Sequence, residues 1–457
     1  MRGMAGTQRL RSILCSTPLL LMFVLGSVTT AVVLGMPGLT IPSTGGDSIT
    51  NSPKEVIDQV WQIIYRDYLD SSGEYDEIAW RQLRHSLLKQ SFADSTESYE
   101  AIRGMLASLN DPYTRFLDPK QFKEMQIDTS GELMGVGIQL SLDKITKELI
   151  VVSPIEGTPA FRAGVQSKDV IVSIDAVSTK GMSIEDAVKL IRGPEGTDVV
   201  LGFRRSDRVL NLLLTRARIE INAVTSTLNT TPNQRKIGYI RLKQFNANAS
   251  REMREAARSL EQQGAEGYVL DLRSNPGGLL EASVDIARQW LNKGVIVSTR
   301  TREGISDVRR ATGSAITNKP MVVLIDQGSA SASEILSGAL QDNSRAKLVG
   351  QKTFGKGLVQ AVRRLSDGSG VTVTVAKYLT PKGTDIHKNG IKPDFEVSMS
   401  KEELKDLTIK DLGTSKDSQY RDAEIILLKY IDIVKTKTDK NNLPSRSGSS
   451  AVIGLFP

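Results

Sequence analysis

The feature that most restricts this chain is a change of hydrophobic period near Arg216. Beyond it, β-branched runs at 237–242, 268–272, 295–299 and 321–325 alternate with helical patterns at 249–263, 279–291 and 331–341. Strands interleaved with helices predict parallel strand–helix units whose helices cover a sheet. A run at 371–376 closes the strands, and 417–434 reads as a late amphipathic helix. With 457 residues, 39% of them hydrophobic and 24% charged, the chain has an ordinary globular balance and room for about three domains of ~150 residues.

The regions ahead of that change have other textures. Apolar residues at helical spacing run through 53–130: Val56, Ile57, Val60, Trp61, Ile64 and Tyr68, then Ile78, Leu83 and Leu87, then Ile102, Met105, Leu106 and Leu109. Asp118-Pro119 supplies a cap and a first-turn proline for a last helix. From Gly131 short strands follow at 150–152, 169–174, 199–203 and 209–214, with a capped helix at 183–191. The expected organisation is a multidomain α+β protein. A leader and linker at 1–46 precede a helical domain at 53–130, a second domain at 131–216, an α/β core at 217–435 and a flexible tail at 436–457.

Arg2, Arg9 and Arg11 precede an uncharged, apolar stretch from Ser12 to Gly46, the pattern of an export signal or membrane anchor. The chain is therefore expected outside the cytosol and near a membrane. Cys15, the only cysteine, lies in that segment, so the rest has no thiol for a disulfide, a nucleophile or a metal. Those three arginines belong to 59 basic residues set against 52 acidic, so the net charge of +7 falls to +4 without them. No basic run or aromatic-interleaved patch points to nucleic acid. No His-Glu-x-x-His pattern or acidic cluster points to a metal, and no cofactor is implied.

Gly135-Val136-Gly137-Ile138, Pro159-Ala160, Ala163-Gly164-Val165, Asp169-Val170-Ile171 and Ile174-Asp175 follow one another within the second region. This ordered series resembles a PDZ domain, with Ser167-Lys168-Asp169 departing from the usual glycine before the aspartate. The resemblance implies that Gly135, Val136, Gly137 and Ile138 form a loop whose backbone amides take the terminal carboxylate of a protein partner.

Gly328-Ser329-Ala330-Ser331-Ala332-Ser333-Glu334-Ile335 follows the run at 321–325 and opens a helix. A serine at a strand-to-helix turn sits where helix N-terminal amides stabilise negative charge. Ser331-x-x-Glu334 is equally a helix-capping box. Asp271-Leu272-Arg273-Ser274-Asn275-Pro276-Gly277-Gly278 also ends a strand, and its glycines suit either an oxyanion hole or a tight turn. Of two histidines, His85 lies in the helical region and His387 in a Gly-, Pro- and Lys-rich loop, neither with a triad signature. Lysine is the remaining base. Gly355-Lys356-Gly357-Leu358-Val359-Gln360 reads as a glycine-flanked strand with 356 and 360 on one face.

Together these residues resemble the carboxyl-terminal processing protease family, from about Pro53 to Val434, as do Asn110-Asp111-Pro112-Tyr113-Thr114 and Gly390-Ile391-Lys392-Pro393-Asp394. The resemblance implies a core similar to the crotonase and Clp-protease folds. It makes Ser331 the nucleophile, Lys356 the base, Gln360 its orienting partner and Glu334 a neighbour, with Gly277 and Ala332 N–H groups as the oxyanion hole. A carboxylate so near Lys356 would hold the ammonium charged, which opposes a role as base. The substrates implied are exported or luminal proteins cut near their C-termini, a photosystem II subunit among them. The competing readings are a non-catalytic PDZ adaptor and a crotonase-type acyl-thioester enzyme. The first is opposed by the complete set of catalytic residue types, the second by the leader and the PDZ insertion.

Overall fold

The computed structural model describes residues 52–441, apart from 72 and 144–145. The expected leader, with Cys15, and the chain beyond Asn441 lie outside the described residues. Among the described residues no helix is long and apolar enough to cross a membrane.

Helices Pro53–Asp67, Glu77–Lys89 and Ser95–Ala107 bury the stripe that their periodicity predicts, with Ile57, Val60, Ile64, Ile102 and Met105 at its centre. Asp76 and Asp94 cap the second and third helices by accepting backbone N–H groups. Asp118 caps Pro119–Ser130, which stops at Gly131 in the left-handed region, φ 74°. The stripe closes only against another part of the chain: Ala361, Leu365, Val371 and Val373 share its cluster. Residues 115–117, expected to be helical, form the strand Arg115–Leu117 and pair antiparallel with residues 370–372. That partner lies so far along the chain that no local periodicity announces the strand.

Residues 132–220 hold a separate six-stranded sheet in the order Ile138–Leu142, Leu149–Pro154, Val170–Ile174, Asp198–Arg205 and Arg208–Thr215, with the short strand Val177–Ser178 paired to Val170–Ile174. Ile138–Leu142 is an edge strand, and helix Ile184–Ile191 lies beside it. Chain entry and exit pair as a ribbon, Glu132–Gly135 with Ala217–Glu220. Asn246 of the core anchors that ribbon by donating to Ile221 O.

The core sheet runs Val224–Thr230, Lys236–Leu242, Gly267–Asp271, Met321–Ile325, Lys347–Gly350 and Phe395–Glu396, parallel after its first, antiparallel pair. Both faces are covered, which explains the unbroken apolar runs. Met321, Val323 and Ile325 face helices Ala249–Gln262, Leu280–Trp290 and Ala332–Asp342, while Val322 and Leu324 face Tyr420, Ala423 and Leu427 of the last helix, Ser418–Asn441. That helix continues past the expected boundary at 435. The run at 295–299 departs from the expected parallel arrangement. Val295–Thr301 leaves the core sheet for a second, antiparallel one with Gly304–Arg310 and Gly370–Leu379. Ile296, Val297 and Thr299 are buried there and Arg300 is exposed.

Asp271, at the carboxyl end of its strand, is fully buried under Arg273. The guanidinium donates to both Asp271 oxygens (3.0 and 2.6 Å), both Asp417 oxygens (3.0 and 2.6 Å) and Gln419 Oε1 (3.0 Å). Tyr239 adds a donor to Asp271 at 2.7 Å. Burial alone would raise the Asp271 carboxyl, and Arg273 overrides it and holds it below its ordinary value. The network pins the last helix to the turn that follows Asp271. Arg273→Met leaves two buried carboxylates without their cation and should cost about 3–5 kcal/mol. The denaturant midpoint, followed by tryptophan fluorescence, should fall accordingly, and an unchanged midpoint would contradict this account.

Candidate active site

Three consecutive turns at the carboxyl ends of parallel strands converge: residues 272–279, 326–331 and 351–357. Open α/β sheets place their sites at this edge. The turns are stitched together by Ala330 N donating to Asn275 O (3.0 Å), Ser333 Oγ to Asn275 O (2.8 Å) and Phe354 N to Ser329 O (3.0 Å).

Ser331 ends the middle turn with φ 56° and ψ −114°, a conformation costly for a residue with a β-carbon. Its Oγ is buried and makes no hydrogen bond, so only half of the expected capping box forms. The half that forms is the Glu334 carboxylate. Its Oε2 accepts from Ser331 N and Lys356 N, each at 2.8 Å, and its Oε1 accepts from Thr353 Oγ1 (2.6 Å) and Gly355 N (2.7 Å). One side chain thus ties the serine turn to the lysine turn. Burial pushes the Glu334 carboxyl above its ordinary value, and the four donors pull it back.

Lys356 does not lie on a strand. The strand is Leu358–Arg364, with a bulge between Val359 and Gln360, so the expected parity of 356 and 360 has no basis. The glycines on either side of Lys356 serve close approach instead. A β-carbon at Gly357 would run into His387, and one at Gly355 would press on residues 388–390. Lys356 is 6% exposed, and its Nζ lies 5.0 Å from the centre of the Tyr113 ring. Burial and Arg115 lower its pKa to about 8, against the pull of Glu334 and Asp111. Gln360, fully buried, donates from Nε2 to Thr374 Oγ1 at 3.5 Å, while its Oε1 has no partner.

Gly277 (φ 104°) abuts the serine. A β-carbon there would lie 2.7 Å from Ala330 O, 2.9 Å from Ser331 Cβ and 3.0 Å from Ala332 N. Ala332 N belongs to the first turn of its helix, where N–H groups have no acceptor within the helix. The Gly277 N–H donates to Asn275 Oδ1 at 2.9 Å in this arrangement, a partner the sequence did not announce. The loop at 135–138 lies in the other domain. Val136 is a core residue there, and the Val136 and Gly137 carbonyls accept from Ala160 N (2.9 Å) and Ile155 N (2.8 Å). Gly137 (φ 81°) packs on Thr158, so a side chain at 137 would strain the fold itself.

Tyr113, Asp111 and Arg115 reach this centre from the helical unit, although the helical pattern of 53–130 gives them no reason to. The only sequence signal for Asp111 and Tyr113 is the family likeness of the Asn110–Thr114 motif. His387 also comes closer than its loop suggested, its ring 6.5 Å from that of Tyr113. Burial lowers its pKa. Among the described residues no three His, Cys, Asp or Glu side chains gather to hold a metal ion.

Residues 236–397 match the model of peptidase family S41, and residues 150–205 match that of the PDZ domain. The carboxyl-terminal-processing protease of Synechocystis sp. is 45% identical over 80% of this chain and 84% of its own length. The chain belongs to the carboxyl-terminal-processing proteases of peptidase family S41. Carboxyl-terminal-processing peptidase 2, chloroplastic, of Arabidopsis thaliana is 42% identical over 75% of this chain and 68% of its own. The solved photosystem II D1 C-terminal processing protease is 39% identical, with a TM-score of 0.51, covering 76% of this chain and 93% of that one. The family names identify a serine protease, and the fold is a PDZ domain joined to an α/β protease core.

The Glu334 tie can be tested without any substrate. Glu334→Gln keeps the shape but sets an amide NH2 against two of the four donors. The loss should be about 2–4 kcal/mol of stability. A melting temperature equal to wild type would mean that the carboxylate is not what holds the two turns.

Proposed function

We propose that this protease cuts by a serine–lysine mechanism and takes its substrates by their C-terminal carboxylates. The observation that carries the first part is the single oxygen, Glu334 Oε2, on which the backbones of Ser331 and Lys356 converge. Ser331 Oγ attacks the scissile carbonyl and passes its proton to neutral Lys356 Nζ. The resulting oxyanion is met by the Ala332 N–H, and by the Gly277 N–H once it turns from Asn275. Collapse expels the amine, which takes the proton back from Lys356. Water then enters, again deprotonated by Lys356, and frees Ser331. A lysine with pKa about 8 is neutral in about one molecule in ten at pH 7, where an ordinary one is neutral in far fewer. Glu334 acts through the two backbones it holds, and Gln360 orients the base.

Ser331→Ala and Lys356→Ala should each abolish cleavage of an unfolded protein while the fold survives, and the double variant should lose no more. Lys356→Arg should be as inactive as alanine, because a guanidinium stays protonated. Protonation of the base stops the reaction, so kcat/KM should rise with pH to a plateau with its midpoint near 8. Full activity in Ser331→Ala, or an activity independent of pH between 6 and 9, would defeat the assignment.

Support for the second part is the edge strand Ile138–Leu142 beside helix Ile184–Ile191, with the loop 135–138 at its head. A peptide added as a strand there brings its carboxylate to the Gly137 and Ile138 amides. The likeness to the photosystem II D1 processing protease and the chloroplast peptidases favours a luminal or periplasmic enzyme that matures a photosystem II subunit. Terminal-peptide mass spectrometry with and without the enzyme names the substrate. Amidating the C-terminus of one peptide should slow its cleavage through a higher KM. Equal rates for free-acid and amidated forms would remove tail capture and leave the serine–lysine chemistry intact.

A further inference from the structure

The Asn110–Thr114 segment belongs to the helical unit, yet its polar atoms end beside the catalytic lysine turn. Thr374 Oγ1 lies 2.6 Å from Asp111 Oδ2, and Thr114 Oγ1 lies 2.7 Å from the same oxygen. A carboxylate oxygen only accepts, so the Thr374 hydroxyl commits its one proton to Asp111. It can offer its other neighbours nothing but a lone pair. Thr114 Oγ1, at 3.4 Å, spends its own proton on Asp111 in the same way, and the neighbour left is Gln360 Nε2, at 3.5 Å. The Gln360 amide is therefore held with nitrogen toward Thr374 and oxygen away from it. The oxygen, Oε1, is buried without a hydrogen-bond partner. A bare buried acceptor is costly at rest and useful only if a donor arrives.

We propose that Asp111 is a positioning residue of the catalytic centre: through Thr374 it fixes the Gln360 amide so that Oε1 receives the ammonium formed on Lys356 when Ser331 loses its proton. This rests on Lys356 being the base. The helical unit thereby becomes part of the reaction machinery and not only a packing partner of the core.

The conservative change Asp111→Asn reverses the chain. Asp111 Oδ1 accepts Tyr113 N–H at 2.9 Å, which demands an oxygen there, so the new NH2 faces Thr114 and Thr374. The Thr374 hydroxyl must then accept from residue 111 and donate to Gln360, whose amide turns its NH2 toward the ammonium. The expected result is a fall in kcat of about tenfold with KM changed less than twofold, since a lost buried hydrogen bond is worth about that factor. In a Gln360→Ala background Asp111→Asn should cost nothing further, because the relay has no end to act on. Thr374→Val should behave like Gln360→Ala, and Thr374→Ser, which keeps the hydroxyl, should recover most of the loss. That pair decides the matter if Asp111→Asn folds poorly. Independent, multiplying losses in the Asp111→Asn and Gln360→Ala double variant would overturn the relay. So would Thr374→Ser as poor as Thr374→Val. Lys356→Ala in the same assay separates the two readings. If it stays active the base assignment fails, whereas if it is inactive and the losses multiply, only the relay fails.

Discussion

The carboxylate of Glu334 is the interaction on which the site depends. It is fully buried, carries four donors, and takes two of them from the backbones of Ser331 and Lys356 through one oxygen. A charge in that position would hold a neighbouring ammonium protonated, the objection raised by the sequence alone. The structure answers by giving both carboxylate oxygens peptide and hydroxyl partners, which spread the charge over fixed dipoles. Burial then dominates at Lys356 and brings its pKa to about 8. Glu334 also compensates the left-handed backbone at Ser331 by accepting the serine's own N–H.

What surrounds this tie comes from four separate stretches of chain. The core sheet supplies the three turns, and the buried Arg273 network secures the first of them to the last helix. The helical unit supplies Asp111 and Tyr113 and, through Arg115–Leu117, a strand edge that locks them in register. The PDZ domain hangs between these on a two-stranded ribbon anchored at Asn246, and Phe245 N next to it donates to Gly277 O at 2.9 Å. The residue where the ribbon meets the core is therefore next in sequence to one that hydrogen-bonds to the turn that abuts Ser331.

Much of this was legible in the residues. Periodicity located the core helices Ala249–Gln262, Leu280–Trp290 and Ala332–Asp342 and the strands Lys236–Leu242, Gly267–Asp271 and Met321–Ile325 to within a residue, because their apolar faces repeat locally, while the core strands Val224–Thr230 and Lys347–Gly350 went unread. The serine turn and the glycine pair announced themselves by being small where a strand ends, and Lys356 was reached by elimination of the two histidines. Three further features were not legible for one physical reason. The strand at 115–117, the departure of Val295–Thr301 to a second sheet and the Thr374–Asp111 contact all depend on partners distant in sequence. Lys356 shows the opposite failure. A local strand pattern was read across a loop whose glycines answer to close packing on residues 386–390, so the alternation inferred from it was empty.

The pairing of Arg115–Leu117 with Gly370–Leu379 has a consequence for how the enzyme comes into being. Asp111 near one end of the fold meets Thr374 near the other, with the whole PDZ domain emerging between them. Contacts of such sequence separation close late in folding. A chain still being synthesised can have a finished PDZ domain and a finished first helical layer and yet lack the strand that brings the Asn110–Thr114 segment to the turns of Ser331 and Lys356. The site is therefore complete only once the last strands are in place.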